Sequence, residues 1–221
     1  MKSLMPALPE SIFDICYLIF MIAVGAQLVR RAGGRKDIRI FGFMCLFLGF
    51  GDAFHLVPRV MNYWLAGDFT AALGIGKFMT SITMTLFYLM LEHARRLRYP
   101  VRGEGGVLGA VWGLSLLRIA LCCFPQNEWT AADPSLTWGI LRNVPFVILG
   151  VLTVALWFRQ AKDDKALRLL WLAVTLSFAF YLPVVLLAHV HPMVGMFMLP
   201  KTCMYIWIAL MFRRAAAEKA A

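Results

Sequence analysis

The sequence predicts an all-α fold, a polytopic membrane protein built as a seven-transmembrane-helix bundle in a single integral membrane domain over residues 1–221. Three observations predict it. The mean hydropathy is +0.73 and only 15% of the residues are charged. Apolar runs of about 18 to 22 residues recur along the chain, each long enough to cross a hydrocarbon core of roughly 30 Å at 1.5 Å per residue. Lysine and arginine gather in every second connection. A backbone exposed to lipid must satisfy its own N–H and C=O groups, which leaves helix as the conformation of such runs.

The first span, residues 11–29, follows MKSLMPALPE, which has neither a separate apolar core nor a small-residue cleavage site. The first helix is therefore expected to stay in the mature protein. Glu10 and Asp14 sit at its start. The second span, 40–58, contains GFGDAFHLVPR, in which Asp52, His55 and Arg59 are three and then four residues apart. That spacing stacks them on one helix face. The third span, 73–92, carries Lys77 and Ser81.

The fourth span, 105–124, opens GGVLGAVWG, where Gly105, Gly109 and Gly113 recur at every fourth residue. They predict a smooth face for close approach of another helix, and Arg118 lies deeper in the same span. The fifth span, 138–158, holds Arg142 and Asn143, the sixth, 169–189, Tyr181 and His189, and the seventh, 193–212, Lys201 and Tyr205. Pro145, Pro183 and Pro200 are expected to free a carbonyl and bend their helices, with Pro200 aiming Lys201 inward.

Sixteen of the 22 cations fall in RRAGGRKDIR, HARRLRYPVR, RQAKDDKALR and the tail RRAAAEKAA, which are alternate connections plus the C-terminus. By the positive-inside rule the N-terminus is expected outside and the C-terminus in the cytoplasm. The expected location is a plasma membrane, the inner membrane of a bacterium. The net charge of +10 is then a topology signal, since a nucleic-acid surface needs a continuous basic face with stacking aromatics. No nucleic-acid partner is expected; membrane lipid is, with the basic loops near anionic head groups. Oligomeric state is not legible.

Of the six other cations only Lys2 is in a tail; Arg59, Lys77, Arg118, Arg142 and Lys201 lie in or at the ends of spans, toward the expected outer side. Counted from the nearest outer turn, Lys201 is about 13 Å deep, Arg118 about 10 Å and Asp52 about 9 Å. Ionisable groups at that depth are costly against lipid, so they are expected to converge on an interior cavity. The bland alternative is that the acids and cations form structural pairs while Arg59, Lys77 and Arg142 snorkel to head groups. Within the spans five cations face Glu10, Asp14 and Asp52, a surplus of positive charge that asks for an anion.

The candidate ligand site is therefore Asp52, His55, Arg59, Lys77, Arg118, Arg142, Asn143, Tyr181 and Lys201, binding a small anion or an anionic lipid head group for transport or sensing. Arg118 and Lys201 supply charge, Arg142 and Asn143 the rim, and Asp52 with His55 a protonation-linked gate. No cofactor is expected. A second reading is a membrane-embedded lipid hydrolase, in which His55, His189, His191 and Asp52 hold a catalytic zinc. The five cysteines lie in apolar settings and read as packing residues, and no phosphate-binding glycine loop, nucleophile elbow or HExxH helix is present.

The seven-span layout with Phe54 and His55 on the second helix resembles the alkaline ceramidase type of hydrolase, which implies two histidines four apart on the last helix and an aspartate on the third; this chain has neither. Tyr181, Pro183 and Lys201 resemble the sixth- and seventh-helix residues of opsin-like chromophore-binding proteins, although the third helix lacks their usual acid. A weak repeat setting Arg39 on Arg168 and Asp52 on Tyr181 resembles the 3+1+3 parallel plan of small sugar transporters of the SWEET type. Asp133→Cys should react with an impermeant thiol reagent added outside the cell, and Asp163→Cys should not; the reverse labelling would invert the expected topology.

Overall fold

The computed structural model describes residues 4–101 and 103–218; Lys2, Arg102 and Lys219, three of the cations counted above, lie outside the described residues. Seven helices follow one another: α1 (Leu4–Arg31), α2 (Lys36–Trp64), α3 (Thr70–Arg98), α4 (Gly105–Cys123), α5 (Leu136–Gln160), α6 (Leu170–Leu187) and α7 (Met198–Ala217). All seven are long and apolar enough to cross a membrane, as in a multi-pass membrane protein. There is no strand among the described residues. At most 44% of the most apolar stretch of any helix is buried within the bundle, and large side chains such as Ile19, Phe50, Leu116 and Val151 face outward, where lipid would lie.

Several helices run a turn or more past the expected spans, α1 from Leu4, α3 to Arg98 and α7 to Ala217 among them, and two further boundaries differ at proline. The second helix runs through Pro58 to Trp64 instead of ending there. Proline removes only its own N–H, so one carbonyl, that of Phe54, is freed while the helix continues. Conversely, α7 begins at Met198, after a 3-10 turn over Pro192–Phe197. His191, forced to extended geometry ahead of Pro192, delays the helix. Pro200 consequently falls in the first turn of α7, where an N–H would have no helical partner in any case, and it is not the interior kink expected.

Consecutive helices pack together and α1 meets α7, closing a ring across which α2 touches α7 and α3 touches α5. Lipid tails are as apolar as leucine, so close packing rather than water exclusion holds such helices together. Gly25 and Gly42 make the α1–α2 approach: a Cβ on either would lie 2.9 Å from the other's carbonyl oxygen. Phe41 of α2 stacks on Phe212 of α7 with centroids 4.1 Å apart, while Phe87, Tyr88, Phe146, Phe178 and Tyr205 form an edge-to-face cluster joining α3, α5, α6 and α7.

The expected glycine face of α4 is corrected. Gly105, Gly109 and Gly113 are exposed, with nothing within 4 Å of a Cβ built on them. The helix buries Val111, Ser115, Arg118 and Cys122 instead. One face carries a guanidinium that cannot be left in hydrocarbon, and its cost outweighs the close packing the glycines offer.

At the basic end, arginines assigned only to topology tie the helices together. Arg95, wholly buried, forks onto Glu92 at 2.6 and 2.7 Å and reaches Glu104 at 2.6 Å. Arg98 binds Asp164 at 2.6 Å, Asp37 at 3.1 Å and Glu218 at 3.0 Å, joining α3 to α2, to the α5–α6 connection and to the end of α7. Tyr99 donates to the same Asp164 oxygen at 2.7 Å. Arg35 donates to the carbonyls of Ala215 and Glu218. Burial alone would raise the Asp164 carboxyl, but bonds from Arg98, Tyr99 and the Leu167 N–H hold it below the usual carboxylate range.

Asp164→Asn should therefore lower stability at neutral pH by about 1.5 to 3 kcal/mol, the range for hydrogen bonds to a charged group. A depressed carboxylate contributes stability that is full above its unfolded value near pH 4 and is lost as pH falls through the folded value. Thermal melts in detergent should show the parent losing its advantage over the variant below about pH 4. Equal melting temperatures at pH 7 would deny Asp164 this role.

Candidate functional site

The site begins with two ladders of polar residues. On α1, Glu10, Asp14 and Tyr17 are spaced four and three apart; on α2, Asp52, His55 and Arg59 are spaced three and four. Antiparallel packing matches them. Arg59 forms an ion pair with Glu10, and Tyr17 donates to Asp52 Oδ2 at 2.7 Å. That register brings Asp14 to the same cavity as Asp52 and His55. Tyr63 also donates to Glu10 at 2.7 Å, and Trp64 Nε1 to Ser11 Oγ at 3.0 Å.

Asp14, Asp52, His55 and Arg59 line a cavity of about 50 Å³, completed by Thr80 of α3 and by Lys201, Thr202 and Tyr205 of α7. A water occupies about 30 Å³ of liquid, so this space suits one or two waters or an ion of that size. It is well below the several hundred Å³ of a typical organic-ligand pocket. His55 Nδ1 lies 3.3 Å from the carbonyl oxygen of Leu73. A carbonyl only accepts, so Nδ1 carries the hydrogen of that bond and Nε2 is left without it. Asp14 is buried, and its Oδ2 has no hydrogen-bond partner.

Lys201 enters from the first turn of α7 and is 8% exposed. Its Nζ packs over the rings of Tyr181 at 4.6 Å and Tyr205 at 5.7 Å. No carboxylate of the described residues comes within 4.0 Å of it; Asp52 is the acid whose charge it feels. Arg118 stands behind it. Its guanidinium lies 3.3 Å from the centroid of Phe146, it is 2% exposed, and neither Nε nor Nη1 has a hydrogen-bond partner. Tyr88, Tyr181 and Tyr205 are the neighbouring polar rings, and Ser115 Oγ and Tyr88 Oη are also buried without partners.

The structure thus brings Asp52, His55, Arg59 and Lys201 to one cavity, with Arg118 and Tyr181 adjoining. Asn143 is tied to this group, accepting from Tyr181 Oη at 2.9 Å while donating to the Gly139 carbonyl. Arg142 is engaged elsewhere: it donates to Asn127 at 2.7 Å and covers Trp129, fastening the α4–α5 connection. Lys77 is exposed on α3 and outside the cavity. His189 and His191 are exposed between α6 and α7, and no three His, Cys, Asp or Glu among the described residues gather as a metal-holding group. The five cysteines are free.

Sequence reasoning missed Tyr17, Thr80 and Thr202. Tyr17 had a signal: it continues the spacing of Glu10 and Asp14 and mirrors that of α2. The threonines had none: Thr202 bonds to the Met198 carbonyl one turn earlier, the ordinary habit of threonine in a helix, and Thr80 donates to the Gly51 carbonyl of α2, a contact that only the α2–α3 packing makes. Comparison of the chain with protein-family models, with characterised proteins and with solved structures finds no match.

Gly76 sets the α2–α3 distance at the site. A Cβ there would meet the free Phe54 carbonyl oxygen and would lie 2.6 Å from His55 Cα, too close for real atoms. Gly76→Ala should push α3 away from His55 and loosen its bond to Leu73, with a cost of about 1 to 3 kcal/mol as for other overpacked interiors. A melting temperature equal to that of the parent would show that the helices can separate there freely.

Proposed function

We propose that this multi-pass membrane protein takes up a small monovalent anion beside Lys201 and Arg118, for transport or sensing, with protons moving on the carboxylates and imidazole of the adjoining cavity. One observation carries the reading. Arg118 is a buried guanidinium with two unbonded nitrogens and no ion-pair partner among the described residues, and the charge of a second cation, Lys201, acts on the same region. A buried charge without a partner costs several kcal/mol, and an anion between the two cations would supply the missing acceptor.

The charge at the site is more local than residue counting implies. Arg59 is paired with Glu10, and Arg142 is held away from the cavity by the neutral Asn127 and Trp129, so Arg118 and Lys201 remain beside the acids Asp14 and Asp52, and protonation of either acid leaves a net positive charge for an anion to meet. The cavity of about 50 Å³ favours an ion of halide or formate size over a lipid head group. Orientation supports entry from the side opposite the basic loops, which the positive-inside rule makes the outer side of a plasma membrane.

Melting temperatures of the purified protein titrated with chloride, nitrate, formate and thiocyanate should rise with at least one of them. Arg118→Gln and Lys201→Gln should each weaken that response about thirtyfold or more while still inserting and purifying, as expected when one partner of a buried charge contact is removed. Anion affinity should increase as pH falls from about 8 to 5, because protonating Asp14 or Asp52 removes negative charge from the site. Asp14→Asn should flatten part of that dependence. Unchanged responses in both cation variants, or none to any of the four anions, would defeat the proposal.

A further inference from the structure

The basic end holds a second, unrelated site. Between the C-terminal turns of α1 and α7 lies a groove of about 350 Å³, lined by Gln27, Leu28 and Arg31 on one side and Leu210, Arg213 and Arg214 on the other. None of its lining residues is acidic. Of the other arginines at this end, Arg95, Arg96 and Arg98 are paired with carboxylates and Arg35 covers the last carbonyls of α7, while Arg30 and Arg39 are exposed but do not line the groove. Arg31, Arg213 and Arg214 are exposed and make no ion pair or hydrogen bond with the described residues.

We propose that this groove binds one anionic phospholipid, its phosphate among Arg31, Arg213 and Arg214 and its acyl chains along the exposed Leu210, over the floor where Leu28 is buried. The charge complement is one-sided, and the leucines lie one turn or less toward the middle of the membrane from the arginines, as head group and hydrocarbon require. Guanidinium forks match phosphate oxygens better than ammonium does, and all three cations here are arginine. The lipid would bridge α1 and α7, the seam at which the ring of helices closes. This site is independent of the anion site near Arg118.

The full chain, delipidated in neutral detergent, should retain phosphatidylglycerol in native mass spectrometry and melt higher in its presence, while phosphatidylcholine with the same acyl chains gives neither effect. Each arginine contributes about fivefold in affinity, so R31Q/R213Q/R214Q should lose about a hundredfold. The exposed loop control K162Q/K165Q should bind like the parent. If the triple variant fails to fold, single Arg31→Gln and Arg213→Gln chains should each lose about fivefold. Equal retention by variant and parent would overturn the proposal, as would equal binding of phosphatidylcholine. Stabilisation by inorganic phosphate or glycerol phosphate equal to that by the lipid would make the groove a plain anion site and overturn it too.

Discussion

A charge in an apolar interior must find a partner, reach water, or cost several kcal/mol, and the arrangement of this bundle follows from how its charges meet that demand. On α1 and α2 the demand is met by register. Glu10 with Arg59 and Tyr17 with Asp52 can pair only if the two helices run antiparallel at one vertical offset. A shift of one residue would rotate every one of these groups by about 100° and strand it against lipid. The Gly25–Gly42 contact reinforces the same offset by shape. On α4 the same demand decides which face turns inward, overriding a glycine stripe made for close packing.

At the basic end the demand is met by clustering. Arg95 gathers the nearby Glu92 and Glu104, and Arg98 gathers Asp37, Asp164 and Glu218 from distant parts of the chain, so residues that orient a membrane protein also lock its helix ends. Several exposed arginines, Arg30, Arg39, Arg159 and Arg168 among them, also stay unpaired among the described residues. What sets Arg31, Arg213 and Arg214 apart is that all three line one groove between α1 and α7.

The middle of the bundle is where the demand is left unmet. Asp14 Oδ2, Arg118 Nε and Arg118 Nη1 are buried without hydrogen-bond partners, and Lys201 rests on tyrosine rings instead of a carboxylate. Cation–aromatic contact recovers part of the lost solvation, on the order of 2 kcal/mol at a dry site, which is less than the charge loses. Asp14 and Lys201 line one small cavity and Arg118 adjoins it, whereas the unpartnered Trp157 Nε1 lies apart, toward the basic end beside Tyr99. The reading of an anion beside Arg118 rests on the charged groups gathered at the cavity.

The sequence by itself determined the seven helices, because length and hydropathy are local properties, and it determined that Asp52, His55 and Arg59 share a face, because helical spacing is local as well. It also singled out Lys201 and Arg118 as too deep to leave exposed. Which partners these residues have was decided only by the tertiary structure. Glu10 is distant from Arg59 in the chain, and nothing short of the α1–α2 register tells it from Asp14 as the partner. Arg142 and Arg118 look alike as arginines in apolar spans, yet one is fastened to Asn127 and Trp129 while the other is left unbonded. Proline carries the same ambiguity: Pro58 sits inside a continuing helix and Pro200 at the start of one, because the cost of a missing N–H depends on whether the surrounding fold had a carbonyl waiting for it.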